Sequence, residues 1–109
     1  MNVCFEYLYR DAGNNKLWGF VVFANERDLS VAHLEKALEQ HLIDGQFFPA
    51  TPGLLPALQF ANHDESLDHE WLEYSGIEVT KEVVTDSKKR DIGDFVDRLI
   101  ELTADFAGN

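Results

Sequence analysis

Apolar positions alternate with a period of two over residues 3–24, and in two later stretches they fall at helical steps of three and four. In the first arm Phe5, Tyr7 and Tyr9 alternate with Cys4, Glu6, Leu8 and Arg10, as a strand with side chains on opposite faces requires. In the second, Trp18, Phe20 and Val22 alternate with Leu17, Gly19, Val21 and Phe23. Both arms are rich in the aromatic and β-branched residues that suit a pleated surface. Asp11, Ala12, Gly13, Asn14, Asn15 and Lys16 between them predict a hairpin loop longer than two residues, because Gly and Asn tolerate positive φ. The second arm is apolar on both faces, which predicts an inner strand covered on both sides, or a partner on one. Gly19 predicts either a bulge or a close approach by another group.

Further on, Ser30 is placed as a helix N-cap, with Leu29 and Leu34 as the hydrophobic staple around it. Val31, Leu34, Leu38 and Leu42 then make one apolar stripe, and Gly45 is the expected left-handed residue after the helix. Pro49, Pro52 and Pro56 break residues 46–60, yet Phe47, Phe48, Leu54 and Leu55 are too apolar for an open loop. A buried connection is expected there, with a short strand opening at Leu58, Gln59 and Phe60. Residues 69–80 read as a strand with neither face cleanly apolar, so a bulge near Ser75 and Gly76 is needed to bring Trp71, Tyr74 and Ile77 together. From Asp91 onward Ile92, Phe95, Val96, Leu99, Ile100, Thr103 and Phe106 mark an amphipathic helix, with Gly108 as its expected stop.

The element order β-β-α-β-β-α predicts one α+β domain over residues 1–109. It consists of an antiparallel sheet of about four strands with both helices on one face. Helices on opposite faces are the alternative, since they would cover both sides of the second arm.

Composition sharpens this picture at two points. Twenty acids oppose nine Lys plus Arg, a formal charge of −11, which repels nucleic acid and anionic lipid and attracts a cationic partner. Cys4 is the single cysteine, so no internal disulfide forms, in keeping with a reducing compartment. No run approaches the ~18 apolar residues of a membrane span, and no basic-then-apolar leader opens the chain. A soluble, cytoplasmic protein is expected.

Two clusters carry candidate chemistry. His63, Asp64, Asp68 and His69, flanked by Glu65 and Glu70, are a candidate divalent-metal set, because imidazole and carboxylate are ordinary Zn or Mn ligands. The spacing matches no HExxH, EF-hand or CxxC signature, and a solvated acidic loop is the competing explanation. Asp94, Asp97, Glu101 and Asp105 form the second cluster, a carboxylate row on the polar side of the last helix. Such a row suits a basic partner; as a phosphate mimic it fits loosely, since a helix advances ~6 Å in four residues against ~3.4 Å per phosphate on one DNA strand. Cys4 has no basic neighbour to activate it, and neither a glycine-rich phosphate loop nor a GxSxG elbow is present. No catalytic residue and no cofactor are expected.

Tyr9, Arg10, Asp11, Ala12, Gly13 and Asn14, then Leu42, Ile43, Asp44, Gly45, Gln46, Phe47 and Phe48, then Asp68, His69, Glu70 and Trp71 together resemble a family of small, acidic bacterial proteins. The likeness runs to about residue 80. It implies bacterial origin and one small domain, and brings no assigned activity with it. Three functions follow as expectations. The first is a non-enzymatic acidic module that binds a basic protein, as an inhibitor, antitoxin or immunity partner does. The second is a metal-binding protein or metal-dependent hydrolase built on the cluster at 63–70. The third is a structural or ligand-binding subunit that acts as a homo-oligomer.

Overall fold

The N-terminal hairpin forms as the alternation predicts, from β1 (Asn2–Arg10) and β2 (Lys16–Phe23) in continuous antiparallel register, Val3 opposite Phe23 through Arg10 opposite Lys16. Its turn is closed by Asp11, whose Oδ1 accepts from the backbone N–H of Asn15 at 2.9 Å, with Asn14 at φ 65°. The structure, a computed structural model, describes residues 1–58 and 71–107. The other elements are α1 (Val31–His41), β3 (Phe47–Pro49), β4 (Trp71–Thr80) and α2 (Ile92–Ala107). The four strands make one antiparallel sheet in the order β2-β1-β4-β3. The α+β architecture read from the sequence is therefore the one observed.

Both helices cover the face that carries Val3, Phe5, Tyr7 and Tyr9, and with Val21, Phe23, Phe48, Leu72 and Ile77 they enclose one core. From α1 come Leu34 and Leu38, and from α2 Ile92, Phe95, Val96 and Leu99. The caps follow their sequence signals. Ser30 accepts from the His33 N–H at 3.1 Å, and Asp91 from the Gly93 N–H at 2.9 Å. The bulge in β4 falls at Ser75. Glu6 pairs with Gly76 but Tyr7 with Tyr74, so the extra residue returns Tyr74 and Ile77 to the core side. Trp71, expected beside them, stays outside the core, because Leu72 takes the inward position opposite Phe48.

Two expectations are corrected. The second arm is not an inner strand: β2 lies at the sheet edge, and Trp18 and Phe20 on its uncovered face are 50% and 62% exposed. The apolar residues on both its faces reflect one core face and one face left open at Trp18 and Phe20, with Val22 on that face buried. The third strand of the sheet is Phe47–Pro49, within a stretch expected only as a buried connection. Of the short strand expected at Leu58, Gln59 and Phe60, the last two residues lie outside the described residues, as does Gly108. Pro49 is tolerated because it ends an edge strand, where its missing N–H costs little.

Gly19 marks a close approach and no bulge. The Tyr7 ring leans over it, 2.6 Å from where a Cβ would stand, and the Tyr7 hydroxyl donates to the Pro56 carbonyl at 2.6 Å. Burial pushes that phenol up to about 12. Gly19→Ala is expected to destabilise the fold by about 1–3 kcal/mol, because the aromatic ring must leave a packed position. Gly76→Ala, where a Cβ meets nothing, is the matched control. Urea midpoints of the two variants check the difference.

Candidate interaction surfaces

Two surfaces stand out, on opposite sides of the molecule. The first is the outer side of α2, where Asp94, Asp97, Glu101 and Asp105 are all exposed. The apolar stripe of the same helix turns Phe95, Val96 and Leu99 inward, so the carboxylate row faces away from the sheet. Asp94 lies 3.7 Å from Arg27, whose guanidinium rests over Gly93 and also reaches Asp91 at 3.7 Å. Glu101 pairs with Arg98 at 2.6 Å. Exposed pairs of this kind contribute little, ~0–1 kcal/mol, so an incoming cation can replace them at small cost.

The second surface is the face of the sheet opposite the helices. On β1 it carries Asn2, Cys4, Glu6, Leu8 and Arg10, and on β2 Lys16, Trp18, Phe20 and Val22. β4 contributes Glu73, Ser75 and Glu78. Charge is sorted along this face. Arg10 and Lys16 stand at one end, with Arg10 held by Glu73 at 3.0 Å. Glu6 and Glu78 stand toward the other, around a hollow of about 190 Å³ that Cys4, Ser75, Gly76 and Ile77 complete. Burial pushes the Cys4 thiol up, and the neighbouring Glu78, Glu82 and Glu6 carboxylates add to the shift. A thiol so placed stays protonated at neutral pH, which fits a structural cysteine and not a nucleophile.

A further cluster escaped the sequence reading. Asp86 is buried and accepts from the Arg90 side chain through both carboxylate oxygens, at 3.0 Å and 2.7 Å, and from the Arg90 backbone N–H at 2.7 Å. The same guanidinium donates to the Leu54 carbonyl at 2.7 Å and lies over the Phe23 and Phe95 rings. The signal available was an acid four residues before an arginine, inside a stretch otherwise read as loop. These groups also line a cavity of about 200 Å³ with Gly53, Pro56 and Lys88. The Lys88 ammonium donates to the Gly53 carbonyl at 2.6 Å. With its cations engaged, the cluster is a structural clamp that pins the segment before α2.

The candidate metal set, His63, Asp64, Asp68 and His69, lies outside the described residues. Among the described residues no three His, Cys, Asp or Glu side chains converge as metal ligands, and no helix is long and apolar enough to cross a membrane. In comparison with known proteins the chain matches no protein-family model, no curated protein and no solved structure.

Proposed function

We propose that this protein is a non-enzymatic, cytoplasmic interaction module whose acidic surface engages a basic protein, as an inhibitor, antitoxin or immunity partner does. The disposition of charge carries the reading. Each of the four arginines is already held by a carboxylate of its own chain: Arg10 by Glu73, Arg27 by Asp91 and Asp94, Arg90 by Asp86, and Arg98 by Glu101. Among the described residues, carboxylates outnumber these cations at the surface, most regularly along α2, where Asp94, Asp97, Glu101 and Asp105 are exposed. A surface of this kind accelerates association with a cationic partner and loses that advantage as salt rises.

Affinity capture from a native bacterial lysate tests the proposal. One basic protein should be recovered at near-equal amount and released by moderate salt. The variant with Asp94→Asn, Asp97→Asn, Glu101→Gln and Asp105→Asn should lose it. Absence of any basic protein at both low and moderate salt would remove the reading.

A further inference from the structure

We infer that the protein pairs with a second copy of itself through the outer edge of β2, about a two-fold axis beside Trp18, so that two four-stranded sheets join into one. This interface is separate from the acidic helix and does not depend on what α2 binds.

Edge geometry is the first observation. The outward-facing N–H of Val22 donates to Thr85 Oγ1 at 2.8 Å, and its carbonyl accepts from the N–H groups of Thr85 and Asp86 at 3.0 Å and 3.2 Å. Since β1 and β2 pair without a register break, the backbone groups of Phe20, Trp18 and Lys16 point outward too. Among the described residues nothing bonds to them. This open stretch is bounded at one end by the chain at Thr85 and Asp86, and at the other by the hairpin turn. Its midpoint is Trp18. An antiparallel pairing of two copies centred there sets Trp18 opposite Trp18 and Lys16 opposite Phe20, each pair exchanging both backbone bonds. It uses the whole open stretch and stops where the edge is already capped.

Side-chain chemistry is the second observation, and it selects the occupant. The two-fold brings the Lys16 end of each copy beside the Phe20 end of the other. The Lys16 ammonium then lies over the Phe20 ring of the second copy and reaches toward Glu6, the cross-strand neighbour of that Phe20. Glu6 accepts from Ser75 through Oε1 alone, at 3.2 Å, which leaves Oε2 for the incoming ammonium. Opposite charges thus meet on both sides of the axis, around a centre of two Trp18 side chains. A basic strand from another protein would instead set its cations against Lys16. Left bare, an edge with two exposed aromatics invites uncontrolled pairing.

Sedimentation equilibrium of the full chain over micromolar concentrations tests this. The expected mass is twice the 12.4 kDa of one chain. It should persist at salt that releases a basic partner, because screening also relieves the repulsion between two acidic chains. Lys16→Glu and Glu6→Lys should each weaken association about tenfold, the two-fold repeating each lost pair, and the double variant should restore it. Hydrogen exchange at the Trp18 and Phe20 amides should slow as concentration rises. Thermal melts of the variants, all at solvent-accessible positions, confirm that they fold. A monomer at every concentration overturns the proposal, and so does a dimer that the charge exchange fails to rescue or that leaves those amides unprotected.

Discussion

Arg90→Leu is expected to lower stability by about 3–5 kcal/mol, the usual result of removing one partner of a buried ion pair. Asp86 is 6% exposed, and in the variant its carboxylate keeps its place but loses both side-chain bonds that neutralise it. The Leu54 carbonyl loses its donor as well, and Phe23 and Phe95 lose the cation above their rings. Replacing both partners, with Asp86→Leu added to Arg90→Leu, should recover much of the loss, because no charge is then left buried. The sign of the pH dependence follows from Asp86. Its bond from the Arg90 side chain, opposed by burial and aided by the backbone N–H groups and the guanidinium charge, holds its pKa below the ordinary 3.8. A lowered folded value means that the protein gains stability from this group above the unfolded pKa and loses it as pH falls through the folded one. The difference between wild type and Arg90→Leu should therefore be full at neutral pH and shrink as pH falls through the carboxylate range, since the variant's Asp86, left with its burial and without the cation, takes up a proton before the wild type's does. Urea unfolding at a series of pH values checks both parts; a difference independent of pH would show that packing, and not the ion pair, carries the effect.

Phe95→Ala is expected to cost a similar amount, about 3–5 kcal/mol. The ring is fully buried, stacks on Phe23 at 4.4 Å, meets the edge of Phe5 at 5.1 Å and lies 5.2 Å below the Arg90 guanidinium. Its removal opens a hole where α2 joins the two strands of the hairpin, and these neighbours cannot close it without moving the helix. Because Phe95 and Arg90 touch, their losses should not add. A double-mutant cycle in urea is expected to give a coupling of about 0.5–3 kcal/mol, and a coupling of zero would mean that the cation over the ring is incidental.

How much of this was legible in the sequence differs from element to element. The bulge could be inferred because residues 71–80 offer no clean apolar face at period two, and an extra residue at Ser75 repairs the pattern. Gly19 left a bulge and a close neighbour both open; the structure has the neighbour, Tyr7 on the adjacent strand. Ser30 and Asp91 worked as caps because capping is local, deciding itself within three residues. The position of β2 was not legible. Apolar residues on both faces of Leu17 to Phe23 are what a doubly covered strand needs, and equally what an edge strand shows when one face is open. Only the sheet order separates the two. The strand at Phe47–Pro49 was not foreseen because three prolines outweighed Phe47 and Phe48, although proline is excluded from central strands and not from the end of an edge. The Asp86–Arg90 clamp depends on Leu54, Phe23 and Phe95, far apart in sequence, and no local pattern reports them. The α2 carboxylates were placed by periodicity and stand exposed as it indicated, but periodicity is silent on Arg27, which comes from the turn after β2.

The strand order has a consequence for how the chain is made. β1 is central, yet one of its two neighbours, β4, begins some sixty residues after β1 ends. The hairpin can close as soon as it is synthesised, whereas the other side of β1 must wait for that late strand. At roughly 5–20 residues per second the wait is several seconds, during which Phe5 and Tyr7 have neither their strand nor α2 to shelter them. Folding of the sheet is thus a late, long-range closure, slower than the local formation of its helices. While the nascent chain is incomplete, the edge in need of protection is the inner side of β1.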